Sequence, residues 1–93
     1  MKFYEETEIC HRCGIEGQMA HHHLIPGKPG RQLSEQYGLV VALCPRCHEF
    51  IHSGSPEGVK ALKRLRRYGQ LKAMQEQGWT EDQFRQHFGK SYL

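Results

Sequence analysis

The four cysteines of this 93-residue chain fall into two pairs with the same internal spacing. The pairs are Cys10 with Cys13 and Cys44 with Cys47. A C-x2-C turn presents two thiolates from one bend of the chain, and four thiolates complete a tetrahedral zinc shell that leaves no open position. Because a closed shell is typical of structural zinc, the spacing predicts that these four residues hold a structural zinc ion.

Two other interpretations of the cysteines are open at this point. They could be ordinary buried thiols, or the run from Cys44 to His48 could be a C-x-x-C-H site of covalent haem attachment. Haem attachment normally requires export, but the run from Met1 to Glu8 does not read as a signal peptide, so we expect a cytoplasmic protein. Structural disulfides are rare in that compartment, which favours zinc at the cysteines.

Five of the seven histidines fall into two groups, a run at residues 21–23 and a pair after the second cysteine pair. His48 and His52 follow the second cysteine pair, and on a helix their spacing of four puts both on one face, where they could bind one ion. In the run from His21 to His23, a strand would point His22 and His23 to opposite faces, so that one could bind metal while the other has a different role. The structural alternatives are that His48 or His52 completes the zinc shell and that the triple histidine is a solvated polar run.

Basic residues are concentrated in one segment, although the net charge is only +3. Residues 60–72 contain lysines and arginines but no acidic residue. Such a segment can bind phosphates with salt-sensitive affinity and without reading sequence, whereas the plainer interpretation is a solvated helix face. The residues predicted to contact nucleic acid are Lys60, Lys63, Arg64, Arg66 and Arg67.

The elements that position these side chains follow from the apolar pattern. Residues 19–25 and 39–43 read as strands, and the breaker run 26–30 between them is predicted to be a loop. Helices are predicted near residues 45–52, 55–78 and 80–89, and Gly69 weakens the second of them in its middle. Since so short a chain has a thin apolar core, it needs a staple such as a metal ion.

The order of these motifs resembles that of the zinc-containing HNH (ββα-metal) endonucleases. The resemblance covers Cys10 to His52: a C-x2-C pair, a histidine dyad followed by an aliphatic residue and a proline, and Leu-Cys-x2-Cys-His with a further histidine. Residues 37–39 and 88–93 are similar to small phage-encoded members akin to recombination-enhancing, RecA-dependent nucleases. The family implies an α+β fold, with a zinc-stapled, treble-clef-like ββα-metal core over about residues 8–54. C-terminal helices over about residues 55–93 complete one domain spanning residues 1–93.

The resemblance also implies roles for the histidines. His22 and His48 bind a catalytic divalent cation, and His52 matches a further ligand seen in some members. His23 is the general base. The cation is Mg²⁺, Mn²⁺ or another transition metal, and it is separate from the structural Zn²⁺. This chain departs from the family because it contains no asparagine, and the Gly38-Leu39 pair stands near the expected place, so the group that orients the base is unidentified.

The function predicted from these features is metal-dependent hydrolysis of phosphodiester bonds in DNA. The resemblance further implies a phage protein in a bacterial host cell, linked to recombination or DNA processing. Its expected partners are DNA, including single-stranded DNA or recombination intermediates, and a recombinase or another phage protein; no membrane is expected. The alternative is a non-catalytic zinc module that binds DNA or a recombination protein, and the missing asparagine favours it.

Overall fold

The computed structural model describes residues 8–93, without the side chains of residues 28 and 29. The start of the chain, on which the expectation of no signal peptide depends, lies outside these residues. The described part has two antiparallel two-stranded sheets and four helices, which confirms the predicted α+β fold. In chain order the elements are β1 (Glu8–Ile9), β2 (Glu16–Gly17), β3 (Ala20–His23), α1 (Lys28–Gln36), β4 (Val40–Leu43), α2 (Pro45–Ile51), α3 (Pro56–Gln77) and α4 (Glu81–Phe88).

Strands β3 and β4 form the sheet that carries the histidine run. Their antiparallel register pairs His22 with Val41 and His23 with Val40. Beyond the strand, Leu24 donates its backbone N–H to the carbonyl of Leu39, so the pairing continues past the last ladder residue. The register therefore fixes which way each histidine of the run points.

Helix α1 corrects the prediction that residues 26–30 are a loop. The helix begins at Lys28 and takes Pro29 and Gly30 into its first turn. Proline is tolerated there because the N–H groups of the first turn have no acceptor inside the helix. Gly30 lies so close to the preceding chain that a Cβ on it would be 3.0 Å from the carbonyl oxygen of Ile25. Both residues that look like breakers are thus compatible with a helix start packed against the chain that leaves β3.

The other three helices begin at side-chain caps. The Cys44 sulfur accepts from the backbone N–H of Cys47 at the start of α2, and Ser55 accepts from the N–H of Gly58 at the start of α3. Thr80 and Gln83 form a reciprocal capping box at the start of α4. Because these residues satisfy N–H groups that have no acceptor within the helix, local sequence fixes where each helix begins.

The core lies between the β3–β4 sheet and helices α1 and α2, and α3 and α4 pack on those helices and on each other. Leu24, Leu39, Leu43 and Phe84 are almost fully buried there. Gly69, in the middle of α3, is also buried, and a Cβ on it would lie 2.7 Å from the Cβ of Leu24. The missing side chain thus lets α3 approach the end of β3, which explains a residue that otherwise weakens the helix. Among the described residues, no helix is both long enough and apolar enough to cross a membrane.

Candidate metal centres

The four cysteines form one tight cluster. Their sulfur atoms all lie within 4.8 Å of one another, and no histidine belongs to the group. Cys10 and Cys13 follow β1, whereas Cys44 and Cys47 follow β4 at the start of α2. Among the described residues this set of four sulfur donors has no fifth member, and it fits a structural zinc ion. The structure thus brings together the four cysteines that the spacing singled out.

Backbone and side-chain donors surround the sulfurs. The N–H of Cys13 lies 3.5 Å from the Cys10 sulfur, and the N–H of Cys47 lies 3.4 Å from the Cys44 sulfur. Burial raises the pKa of the Cys10 thiol, but several backbone N–H donors outweigh it and lower that pKa to about 6. Burial raises the pKa of Cys47 to about 12 although Arg12 donates to its sulfur at 3.6 Å. Coordination by zinc would deprotonate such thiols irrespective of these differences.

Three histidines form a second, separate cluster. His22 comes from β3, His48 lies on α2, and His52 is the residue that caps the end of α2. Each offers one ring nitrogen within 4.8 Å of the others, and the ring centroids of His48 and His52 are 5.0 Å apart. The spacing of four along the helix therefore puts both imidazoles on the side that faces β3, as the sequence suggested.

The strongest sign of a ligand site is the ring of His22. The residue is buried, and its Nε2 atom has no hydrogen-bond partner among the described residues. Burial, followed by the charges of His52 and His48, lowers the pKa of His22 to about 4. The imidazole is therefore neutral near pH 7, which is the form that binds metal. Because buried polar atoms without a partner are rare, the unpaired nitrogen fits coordination to an ion.

His23 lies outside this cluster, since neighbouring residues of a strand alternate in direction. Its Nε2 atom lies 2.8 Å from Oε2 of Glu35 on α1. The sequence analysis did not single out Glu35. Glu35 lies on α1, for which the sequence analysis predicted a loop over the first residues and no element over the rest. Twelve positions separate Glu35 from His23. His21, which received no role, lies 2.8 Å from a carboxylate oxygen of Glu8.

A pocket of about 340 Å³ joins the histidine cluster to two arginines. One is Arg66 of α3, predicted as a nucleic-acid contact, and the other is Arg31 of α1, which the sequence analysis missed. Arg31 and Glu35 stand four residues apart on α1, so recognition of that helix would have placed both on one face. The histidines and arginines that line the pocket are His21, His22, His23, His48, His52, Arg31 and Arg66.

The cationic segment does not form one surface. Lys60 and Arg64 line a different cavity of about 580 Å³, beside Tyr68, whose ring centroid is 4.9 Å from that of His11. Lys63 and Arg67 are exposed on the solvent side of α3 between these two regions. Helical periodicity therefore spreads the five predicted contacts around the exposed surface of α3.

Comparison with known proteins gives one match. The family model described as HNH endonuclease matches residues 10–54, from the first cysteine to just beyond α2. No curated protein and no solved structure matches the chain. The matched segment contains both the cysteine cluster and the histidine cluster.

Proposed function

We propose that this protein is a metal-dependent endonuclease that hydrolyses phosphodiester bonds in DNA, on the premise that residues 10–54 match the HNH endonuclease family model. The observation that carries the proposal is the unpaired Nε2 of buried His22, a residue that clusters with His48 and His52 in a pocket that His23 also lines. The match to the family implies a nuclease-type function, and the pocket offers the groups that such chemistry needs.

In this proposal His22, His48 and His52 hold a divalent cation. Three protein ligands leave coordination positions for substrate and water, in contrast to the closed set of cysteines. When bound, the ion neutralises charge on the scissile phosphate and on the leaving 3′ oxygen. Imidazole ligands favour Zn²⁺, Ni²⁺ or Co²⁺, whereas phosphate and water oxygens favour Mg²⁺ or Mn²⁺, so a metal screen is part of the test.

His23 acts as the general base. It lines the same pocket as the three ligands but does not belong to their cluster, so its ring remains available to a water molecule. A neutral imidazole accepts the proton of that water as the water attacks phosphorus. A base in this position typically contributes ~10²–10⁴-fold to the rate.

Arg66 and Arg31 contact the phosphates next to the scissile bond, because they line the pocket itself. Lys63, Arg67, Lys60 and Arg64 then contact phosphates farther along the strand, around the exposed side of α3. These contacts supply affinity that falls with salt and that does not depend on base sequence.

The link to phage recombination is the finer part of the proposal. It rests on the similarity of residues 37–39 and 88–93 to phage proteins, with recombination intermediates as substrates and a recombinase or another phage protein as partner. Tyr37 and Phe88 also pack together, with ring centroids 6.2 Å apart beside Trp79. Because this packing explains part of the similarity, the link to phage recombination has to be tested by a functional assay.

The test is nicking of supercoiled plasmid by the zinc-loaded protein in the presence of Mg²⁺, Mn²⁺, Ni²⁺, Co²⁺ or Zn²⁺. We expect nicking with at least one ion and its loss in His23→Ala, with zinc content and circular dichroism unchanged. The second candidate, a non-catalytic zinc module that binds DNA or a recombination protein, is favoured by the absence of asparagine. DNA binding without nicking under any metal would establish that candidate instead.

A further inference from the structure

We propose that Glu35 is the positioning residue for His23, fixing its tautomer and ring orientation in place of the asparagine that this chain lacks. The inference rests on the proposed function, in which His23 is the general base. It concerns a residue on α1, outside the histidine and cysteine motifs of the chain.

The contact itself defines the tautomer. Nε2 of His23 and Oε2 of Glu35 are 2.8 Å apart, and an ionised carboxylate can only accept a hydrogen bond. The proton of the neutral imidazole is therefore on Nε2, and Nδ1 keeps the lone pair that can accept a proton from water. Without the carboxylate, the ring could place its proton on either nitrogen, and only one of the two forms has a free Nδ1.

The scaffold holds both partners of this contact in one frame. Ser34, directly before Glu35, is fully buried, and its hydroxyl accepts from the backbone N–H of Ile25 at 3.2 Å. The carbonyl of Ser34 accepts from the N–H of Leu39 at 2.6 Å, and the carbonyl of Leu39 accepts from the N–H of Leu24. The residue next to Glu35 is thus tied to the residues that directly follow His23.

The place where the family has asparagine offers no side chain that could orient His23. The Gly38-Leu39 pair stands near that place, and neither residue has a polar side-chain atom. Glu35 supplies an acceptor from the end of the preceding helix instead. Its side chain is 71% exposed while that of His23 is 28% exposed, so the pair adds little to stability and its effect falls on orientation.

A second histidine–carboxylate pair provides the matched control. His21 and Glu8 are also 2.8 Å apart, but His21 is 60% exposed and has no role in the proposed reaction. His21 lines the same pocket as His23. Removing the Glu8 carboxylate therefore tests what the loss of such a contact does at a pocket histidine that is not the base.

The first measurement is the tautomer of His23, read from the ¹⁵N chemical shifts of its ring in the zinc-loaded protein without a second metal. The spectra are recorded at a pH where the ring is neutral, so the two ring nitrogens report the position of the single proton. We expect the Nε2–H form in wild type and in Glu35→Gln, whose amide oxygen can still accept, and a mixture of the two forms in Glu35→Ala. Glu8→Gln should leave His23 unchanged, and the missing signals of His23→Ala assign the resonances.

The second measurement is nicking at saturating metal. We expect Glu35→Ala to lower kcat by about 10- to 100-fold, with KM for DNA and the metal concentration at half-maximal rate within about twofold of wild type. Glu35→Gln should recover part of the loss, and Glu8→Gln should nick like wild type.

An unchanged tautomer in Glu35→Ala overturns this inference, as does a loss of rate that appears in KM alone, since that would mean a charge effect on DNA binding. Failure of wild type to nick overturns the proposed function instead. The ¹⁵N spectra still report the Glu35 contact in that case, so the two failures are distinguishable.

Discussion

The cysteine cluster and the histidine cluster each bring their ligand atoms within 4.8 Å of one another, but they differ in donor number. Four sulfurs, two of which accept from backbone N–H groups, form a closed set, whereas three imidazoles leave coordination positions for further ligands. Both clusters border a pocket with arginines, Arg12 and Arg46 beside the cysteines and Arg31 and Arg66 beside the histidines. The comparison teaches that donor number, more than access, distinguishes a site that holds the fold from a site that can react.

The largest effect should come from removing one of the four sulfur ligands. Cys44→Ser removes one zinc ligand but leaves a hydroxyl that can still cap α2. Because a structural zinc ion supplies about 10–16 kcal/mol of apparent binding energy, a domain worth about 5–15 kcal/mol cannot fold without it. We expect no bound zinc and no cooperative thermal transition. His48→Ala is the matched variant, since it should keep about one zinc ion per chain and its cooperative transition. Equal damage in both variants would mean that the two clusters act as one structural unit.

The next effect separates two neighbours on the strand. His23→Ala should lower the nicking rate by ~10²-fold or more at every metal concentration, because it removes the base and no ligand. His22→Ala should lose rate that added metal partly restores, because it weakens binding of the ion. The measurement is nicking rate against metal concentration, with zinc content determined on the same samples. If added metal rescued His23→Ala instead, His23 would be the metal ligand and His22 the base.

A smaller effect should fall on the packing beneath β3. Gly69→Ala gains about 1 kcal/mol of helix propensity, but its Cβ would meet Leu24 at a distance that forces a backbone shift, at a cost of about 1–3 kcal/mol. We expect a net loss of about 1 kcal/mol in the free energy of unfolding and weaker binding of the catalytic ion, with zinc content unchanged. Denaturant titrations of Gly69→Ala and of the exposed control Gln75→Ala provide the check. A more stable Gly69→Ala would show that α3 can move away from the strand freely.

The smallest effect concerns single cations on α3. Arg64→Ala should weaken DNA binding and reduce the slope of log affinity against log salt by about 1, without changing the rate at saturating DNA. Arg66→Ala should change the slope by a similar amount and also lower that rate, because Arg66 lines the histidine pocket. Fluorescence anisotropy across a salt series, paired with nicking, compares the two. If the slope of log affinity against log salt were unchanged in both variants, the DNA would not lie along α3.

Local patterns predicted the parts of this molecule whose chemistry is local. The two cysteine pairs each form within one turn, so their spacing was sufficient to predict the cluster. Ser55 and Thr80 cap helices within four residues of themselves, and both starts appear where the sequence placed them. The spacing of His48 and His52 likewise needed only the period of a helix.

Contacts between distant elements could not be predicted in this way. Pro29 and Gly30 look like helix breakers in the sequence. The close approach of Ile25, which explains the glycine, is seen only in the folded structure. Glu35 lacks any local motif, and only the packing of α1 beside β3 brings it to His23. The cationic segment looked like one patch, but rotation along α3 distributes its members over different sides of the helix.

Helix α2 carries a member of each cluster on adjacent residues, Cys47 and His48, and Cys44 caps its start. A newly synthesised chain that has not yet acquired zinc would therefore lack the rigid turn from which His48 and His52 project. We expect such a chain to be latent, unable to cut the DNA of the cell that makes it. The zinc supply would then determine what fraction of the protein becomes active. Protein expressed in the presence of a chelator would be inactive and would gain activity when zinc is added.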